Sequence, residues 1–250
     1  MRKICVVNQK GGVGKTTTTI NIATGLADRK KRVLILDMDA QGNVGTSLCV
    51  HSEKNMYHLL VENAKPEECM VNVNEYLDVI PSDKTLSHAE LTLNGVPSRE
   101  TVLKRAMEGV NNYDYVIIDC PPTINLLNHN ALVYSTEAFV PVATEYLALD
   151  ALKKICSTIE DINRIFKRKL KITAVIPTMY DRRVKSCIET LAEIKKGFNG
   201  TVTNPIRVNS KLKEAPKKGQ SIYEHARYSR GAKDYKKLVD FVIAKEYYYD

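Results

Sequence analysis

A glycine-rich segment close to the start of the chain has the residue types of a phosphate-binding loop. Residues 10–17 read Lys-Gly-Gly-Val-Gly-Lys-Thr-Thr. Glycines let backbone N–H groups approach phosphate oxygens, and a helix that begins after the loop adds the positive end of its dipole. We expect Lys15 to reach the β- and γ-phosphates of a nucleotide and the Thr16 hydroxyl to bind Mg²⁺. The predicted nucleotide-binding residues of this loop are Lys10, Gly11, Gly12, Val13, Gly14, Lys15, Thr16 and Thr17.

The loop departs from the strict G-x-x-x-x-G-K-[ST] pattern at one position, because Gln9 stands where the first glycine belongs. It also carries a second lysine, Lys10, ahead of Lys15. A nucleotide held by the loop needs only Lys15. The extra cation at the rim therefore either meets phosphates that are bound by another subunit or is an ordinary exposed lysine.

Three aspartates follow apolar runs that have the pattern of buried strands. Asp37 and Asp39 come after the second run, and Asp119 ends the run Tyr-Val-Ile-Ile-Asp in the form of a Walker B motif. Alternation along a strand places Asp37 and Asp39 on the same side. Ligands of open parallel sheets bind at the carboxyl ends of the strands, so loop and acids are expected to converge there. One aspartate can hold Mg²⁺ while another orients the attacking water, and the predicted metal-site residues are Thr16, Asp39 and Asp119.

The elements that must position these residues alternate along the chain. Continuous apolar strands separated by amphipathic stretches are typical of a parallel sheet that is covered on both faces. The sequence therefore predicts an α/β fold, a doubly wound, mostly parallel sheet with helices on both faces, in a single P-loop domain over residues 1–250. Strands are predicted near residues 4–8, 33–36, 77–80, 115–118, 138–140 and 171–176, and helices near 16–28, 55–63, 85–93, 98–109, 126–135, 148–166, 183–197 and 231–245.

Composition excludes several classes of protein. Hydrophobic residues make up 44% of the chain and charged residues 26%, which is ordinary for a globular protein. No stretch approaches the roughly 18 uncharged apolar residues of a membrane-spanning helix, and the first residues lack the pattern of a signal peptide. We therefore expect a cytoplasmic protein. The scattered cysteines argue against a structural zinc site and are predicted to be small buried hydrophobes: Cys5, Cys49, Cys69, Cys120, Cys156 and Cys187.

Charge is distributed unevenly between the two parts of the chain. Residues 1–150 hold 14 Lys and Arg against 18 Asp and Glu, whereas residues 151–250 hold 23 against 11, a net charge of +12. A basic C-terminal part suggests a polyanionic partner, although a merely solvated surface has the same composition. The candidate DNA-binding residues are Lys211, Lys213, Lys217, Lys218, Arg230, Lys233, Lys236 and Lys237.

These motifs together resemble the ParA/Soj members of the ParA–MinD family of deviant Walker ATPases. The loop is similar to the family's P-loop with its signature lysine, and the second acidic motif and the Walker B strand also match. The likeness continues to the last predicted helix and so covers nearly the whole chain. The matching segments are residues 10–17, 37–43, 113–122, 143–149, 178–181, 211–216 and 229–232.

The resemblance implies an ATPase that binds ATP and Mg²⁺, forms a homodimer around two nucleotides and hydrolyses them slowly. It implies that Lys10 and Lys15 contact the nucleotide, Lys10 across the interface, that Asp39 positions the hydrolytic water, and that Met179 and Pro205 lie in the adenine pocket. The dimer is expected to bind double-stranded DNA without sequence preference on the nucleoid. A ParB-like centromere-binding partner is expected to stimulate hydrolysis, so that a plasmid, chromosome or mobile element is segregated.

Two features depart from the family pattern. Ala40 replaces the proline often found after the second aspartate, which affects the stiffness of the loop more than its chemistry. The chain also lacks an N-terminal helix-turn-helix extension, so it resembles the short form and is not expected to read an operator.

Three other functions are compatible with parts of the sequence. A membrane-associated, MinD-like positioning ATPase needs an exposed apolar C-terminal helix, whereas the tail after the last predicted helix, residues 246–250, is short and acidic. An iron–sulphur electron donor needs a second cysteine beside Cys120 with a recognisable flank. A metabolic ATP-dependent ligase or kinase needs a small-substrate pocket, for which the sequence offers no signal.

Overall fold

A computed structural model of the chain describes residues 1–245. The strands in this part are β1 (Arg2–Val6), β2 (Val33–Asp37), β3 (Val71–Asn74), β4 (Leu77–Ile80), β5 (Tyr115–Asp119), β6 (Glu137–Ala143) and β7 (Lys171–Thr178). They form one sheet in the order β3-β4-β2-β5-β1-β6-β7. Every neighbouring pair is parallel except β3 and β4, which are antiparallel. The central position of β1 and β5 brings their carboxyl ends together.

The helices connect the strands and cover both faces of the sheet. The α-helices of the described residues are α1 (Lys15–Ala27), α2 (Asn43–Leu48), α3 (Met56–Val61), α4 (Pro66–Cys69), α5 (Ala89–Thr92), α6 (Val102–Ala106), α7 (Leu126–Tyr134), α8 (Ala148–Phe166), α9 (Lys185–Gly197), α10 (Ser210–Glu214), α11 (Ile222–Ala226) and α12 (Arg230–Ala244). Short 3₁₀ helices span Lys84–His88, Leu93–Gly95, Arg99–Thr101 and Ala215–Lys218.

Two hydrophobic clusters pack against opposite faces of the sheet. Ile4 and Val6 of β1 face a cluster that includes α1, α2, α11 and α12. Cys5 and Val7 face the other cluster, to which α3 to α9 contribute. Because alternate residues of a strand point to opposite faces, a continuous apolar strand is required wherever both faces are covered. The predicted doubly wound, mostly parallel sheet is confirmed.

The structure differs from the sequence-based expectation at several elements. β3 was not predicted, because its Val-Asn-Val-Asn sequence lies at the sheet edge with alternate residues exposed. The helix predicted near residues 85–93 is divided into two 3₁₀ segments around α5. The last helix agrees closely, since α12 covers Arg230–Ala244. The acidic segment 246–250 lies outside the described residues.

Candidate functional site

The glycine-rich loop connects the carboxyl end of β1 to the start of α1. Gly12 and Gly14 have positive φ angles of 72° and 91°, a backbone conformation that favours glycine. Gly14 is the N-cap of α1, which therefore begins at Lys15 with no side chain covering its first N–H groups. Free N–H groups at a helix start are suited to an anion such as phosphate.

Hydrogen bonds from neighbouring strands hold the loop in shape. The Asn8 side-chain amide donates to Pro141 O at 2.7 Å, and its Oδ1 accepts from the backbone N–H of Lys10 at 2.9 Å. On the other side, the Thr178 hydroxyl donates to Val13 O at 2.8 Å. Asn8 and Thr178 were not predicted as site residues. Their role depends on contacts between distant segments, which the sequence does not reveal.

Lys15 lies inside the curve of the loop. Its residue is 7% exposed, and its Nζ donates to Lys10 O at 3.2 Å. Burial lowers the pKa of the Lys15 ammonium, while the nearby Asp119 carboxylate acts in the opposite direction. A buried cation that has only one carbonyl partner is well placed to turn towards a phosphate.

Asp119 joins the Walker B strand to the phosphate loop. Its Oδ2 accepts from the Thr16 hydroxyl at 2.6 Å, and its Oδ1 accepts from the Thr19 hydroxyl at 3.1 Å. Burial raises the pKa of Asp119 to about 7, against the lowering effect of these two hydrogen bonds. A fully buried carboxylate beside a threonine hydroxyl offers two oxygen ligands of the kind that Mg²⁺ prefers.

The chemistry of this donor set fits a magnesium ion that is bound together with phosphates. Among residues 1–245 there is no group of three or more His, Cys, Asp or Glu side chains that could hold a metal ion. Mg²⁺ usually takes one or two protein oxygens and completes its shell with phosphate oxygens and water. Thr16 and Asp119 can supply that share.

Asp37 and Asp39 occupy different environments, although the sequence predicted them on the same side. Asp37 is fully buried, and its carboxylate accepts from the N–H groups of Asp39 and Val44, each at 3.1 Å. Burial and the charge of Asp119 raise the pKa of Asp37 well above its usual range. β2 ends at Asp37, so strand alternation does not extend to Asp39.

Asp39 is the more accessible of the two acids. Its carboxylate accepts from the N–H of Gln41 at 3.0 Å, and its carbonyl accepts from the Ser82 hydroxyl. The charge of Asp39 contributes to the raised pKa of Asp119. Asp39 therefore stands at the edge of the site, where it can face a water molecule, while Asp37 shapes the segment that follows.

Lys10 forms an ion pair within its own chain. Its Nζ lies 2.7 Å from Oε1 of Glu145, and both side chains are partly exposed. Glu145 lies in the segment 143–149 that resembles the family, but it was not predicted as a site residue. The structure thus places Lys10 at the rim of the loop, with a carboxylate partner that follows β6.

A cleft of about 170 Å³ next to the loop contains one of the two predicted adenine-pocket residues. Met179 lines it and is 45% exposed. Pro205 does not line it, but the adjacent Ile206 does. The remaining lining residues include Val13, Gly14, Thr17, Thr178, Arg207, Asn209, Leu212 and Tyr235.

The eight candidate DNA-binding residues are all exposed. They lie on α10, the 3₁₀ helix Ala215–Lys218 and α12. α10 and α12 pack closely together. A Cβ placed on Gly231 of α12 would come within 2.9 Å of the Leu212 side chain of α10. α12 is also tied to the nucleotide side of the fold, since the hydroxyls of Thr18 and Tyr235 lie 3.1 Å apart. Of the eight, Lys211 forms an ion pair with Glu214 at 2.6 Å.

Comparison with known proteins places these features in a family context. Residues 1–172 match the family model described as AAA domain. The sporulation initiation inhibitor protein Soj of Bacillus subtilis is 41% identical over 96% of this chain and 98% of its own length. The chromosome-partitioning ATPase Soj of Thermus thermophilus is 37% identical over 98% of this chain and 96% of its own length.

A solved structure with similar architecture carries the ligands that the geometry suggests. The cobyrinic acid a,c-diamide synthase of Mycobacterium smegmatis, with bound ATP analog and magnesium, superposes with a TM-score of 0.85. It is 30% identical and covers 98% of this chain and 95% of that chain. In residues 1–245 of the present chain no helix is long and apolar enough to cross a membrane.

Proposed function

This chain belongs to the Soj/ParA family of chromosome-partitioning ATPases, and from that premise we propose that it is an Mg²⁺-dependent ATP hydrolase whose ATP state is a DNA-binding dimer. The observation that carries the proposal is the convergence of Lys15, Thr16 and Asp119. A buried lysine, a threonine hydroxyl and a buried carboxylate meet at the start of α1, with Thr16 Oγ1 and Asp119 Oδ2 2.6 Å apart. This set supports binding of a nucleoside triphosphate with its magnesium ion.

The residues of the chain divide the work of hydrolysis. Lys15 and the N–H groups at the start of α1 hold the phosphates, and Thr16 and Asp119 hold Mg²⁺, which when bound neutralises phosphate charge. Asp39 orients the attacking water. The proposed turnover is slow without a partner, because Lys10 pairs with Glu145 of its own chain and the site is completed only by a second subunit.

The dimer completes that open side. Lys10 leaves Glu145 and reaches the phosphates held by a second copy of the chain, so that each nucleotide is enclosed by two subunits. The ion pair that Lys10 gives up has side chains 42% and 54% exposed, and such pairs are worth only up to about 1 kcal/mol. The exchange of partners therefore costs little compared with a contact to a buried phosphate.

The ATP dimer is proposed to bind double-stranded DNA through the basic surface on α10, α12 and the 3₁₀ helix between α10 and α11. Phosphate contacts need only exposed cations on one face, without specific base contacts. A ParB-like partner would then stimulate hydrolysis and release. We further propose that the chain works as a single domain in the cytoplasm, in association with the nucleoid.

The test is the retention of a fluorescently labelled duplex of arbitrary sequence by the purified chain. Anisotropy is measured with Mg²⁺-ATP, with Mg²⁺-ADP and without nucleotide, and over a series of salt concentrations. The proposal expects binding only with Mg²⁺-ATP, with an affinity that falls steeply as salt increases. Equal binding in all three states would contradict it. Lys15→Ala serves as the control that is expected to lose the ATP-dependent signal.

A metabolic ATP-dependent synthase is the second candidate function, because the similar solved structure has that activity in its name. The higher identity to the two Soj proteins favours the partition function. Rapid ATP turnover on a small carboxylate-bearing metabolite, without DNA or a protein partner, would favour the synthase. Strong ATP-dependent flotation with liposomes would instead favour the MinD-like alternative.

A further inference from the structure

The helix that follows the catalytic acids lies directly against the segment that carries two of the basic residues. α2 starts five residues after Met38 and ends beside Cys49, whose φ of 52° turns the chain sharply. Gly219, with φ of 65°, ends the 3₁₀ helix Ala215–Lys218. A Cβ added to Gly219 would overlap Cys49 Sγ and come within 3.1 Å of Cys49 Cβ. Residue 219 therefore has no room for a side chain beside Cys49.

The first turn of α2 is hydrogen-bonded to a residue that lies beside the nucleotide site. Asp37 Oδ2 accepts from the N–H of Val44 in the first turn of the helix, and Asp37 lies beside Asp119 in the register of β2 and β5. Gly42, the N-cap residue of α2, is also closely packed, since a Cβ there would come within 2.7 Å of Ser82 O. A displacement of Asp119 would therefore act, through Asp37, on the hydrogen bond that starts α2.

The chain just after the 3₁₀ helix Ala215–Lys218 is attached to α1, the helix of the phosphate loop. Asn21 of α1 accepts from the N–H of Ile222 at 2.9 Å and donates to Thr17 O at 2.7 Å. Between this attachment and α2 lies a cleft of about 210 Å³, lined among others by Thr16, Asn43 and Gln220. The chain after the 3₁₀ helix is thus tied to α1, while the end of the 3₁₀ helix contacts Cys49 at the end of α2 beside this cleft.

We propose that α2 transmits the nucleotide state to the basic segment through the contact between Cys49 and Gly219, and so sets the position of Lys217 and Lys218. The inference rests on the proposed DNA binding and adds its regulation. Binding of the triphosphate and Mg²⁺ rearranges the carboxylates at Asp37 and Asp119, and α2 shifts against Gly219. Such a contact between close-packed groups converts a small shift at one site into a defined shift at another.

The test uses substitutions at the contact and not at the site. Gly219→Ala places a methyl group into Cys49 and separates α2 from the segment. Cys49→Gly with Gly219→Ala removes the overlapping atoms, and glycine suits the positive φ of residue 49. Cys49→Ala alone loosens the contact without overlap and tests the proposal if Gly219→Ala folds poorly. All three are compared with the unaltered chain for ATP affinity, dimer mass and DNA anisotropy.

In Gly219→Ala the factor by which ATP increases DNA affinity is expected to fall about tenfold or more, while the affinity for ATP stays unchanged. Cys49→Ala is expected to lose a smaller part, and the double variant to regain most of it. An ATP-dependent gain that is unchanged in both single variants would overturn the proposal.

Hydrogen exchange separates this inference from the DNA-binding proposal. The amides of Gly219 and Gln220, which donate to Pro216 O and Ala215 O, are expected to change their exchange rate when Mg²⁺-ATP is added to the unaltered chain, and to change less in Gly219→Ala. If these amides respond to Mg²⁺-ATP but the anisotropy assay detects no DNA binding, the coupling stands and the proposed DNA binding fails. If the amides of α2 respond to ATP and these two do not, the coupling is wrong.

Discussion

Lys10 Nζ lies 2.7 Å from Glu145 Oε1 of the same chain, and this contact occupies the cation that the proposed dimer would require. The ion pair is a resting position for Lys10 on the rim of the loop. Because both side chains are partly exposed, the ion pair is weak and Lys10 can leave it at little cost in free energy. The carboxylate therefore competes with the second subunit's nucleotide for the same ammonium group.

Removing that competitor is expected to favour dimerisation. Glu145→Gln keeps the size of the side chain and removes its charge. Since each of the two subunits gives up a pair worth up to about 1 kcal/mol, the variant should lower the protein concentration needed for the ATP dimer by up to about thirtyfold. Analytical ultracentrifugation over a concentration series measures this. Lys10→Ala is the matched variant and should bind ATP normally but remain monomeric. A weaker dimer in Glu145→Gln would mean that the carboxylate belongs to the interface.

Loss of either phosphate-site residue is expected to abolish the function at its first step. Lys15→Ala removes the buried ammonium, and Thr16→Ala removes the hydroxyl that contacts Asp119. Titration with a fluorescent ATP analogue should show at least about tenfold weaker binding for Lys15→Ala, since a charge-assisted hydrogen bond contributes about 1.5–3 kcal/mol. Thr16→Ala should lose the dependence of binding on Mg²⁺. Thr136→Ala is the control that should retain both, because Thr136 is exposed and its hydroxyl donates to Lys3 O near the start of β1, away from the phosphate loop.

The raised pKa of Asp119 predicts a specific dependence of stability on pH. The folded chain keeps a proton on this carboxyl up to about pH 7, whereas the unfolded chain loses it near the ordinary value of 3.8. Between these values the folded state binds more protons, so the free energy of unfolding falls as pH rises and the loss is complete above about pH 7. Melting curves from about pH 5 to about pH 8, without nucleotide or metal, should show this decline.

Asp119→Asn provides the comparison for that measurement, because it has no proton to lose in this range. Its melting temperature should fall less than that of the unaltered chain over the same interval. Mg²⁺-ATP should also reduce the decline in the unaltered chain, since a cation stabilises the ionised carboxylate. Parallel pH profiles for the two proteins would show that Asp119 does not titrate in this way.

The basic surface is expected to carry the affinity for DNA collectively. Lys233, Lys236 and Lys237 lie exposed on α12, and their joint change to Glu should lower DNA affinity by at least about tenfold and reduce its salt dependence. ATP binding and dimer mass report that the fold is intact. Lys167, Lys169 and Lys171, near the other end of the sheet, make the control with the same change of charge. An equal loss in that control would show only a general effect of net charge.

The fold and the phosphate site could be predicted from local patterns. Apolar runs of three to six residues predicted the buried strands, and the glycine-rich run predicted the loop in which Gly12 and Gly14 have positive φ. The edge strand β3 escaped because half of its residues face solvent. Short edge strands lack the continuous apolar signal on which the other assignments depended.

The parts of the site that could not be predicted depend on contacts between segments far apart in sequence. Glu145 meets Lys10 only because β6 lies next to β1, and Gly219 meets Cys49 only because the chain returns to α2 after β7. The different environments of Asp37 and Asp39 follow from where β2 ends. Spacing placed both aspartates on the same side, and it did not reveal that Asp37 is fully buried.

The central claim is that a triphosphate joins two copies of the chain, and the most direct measurement is the mass of Asp39→Ala in solution with saturating Mg²⁺-ATP. This variant lacks the carboxylate that orients the attacking water, so the bound triphosphate should persist. Light scattering coupled to gel filtration should give about twice the chain mass of 28.1 kDa, and the chain mass alone when ATP is replaced by ADP or when Lys10→Ala is added. A mass of one chain in Mg²⁺-ATP, with nucleotide binding demonstrated in the same sample, would contradict the account.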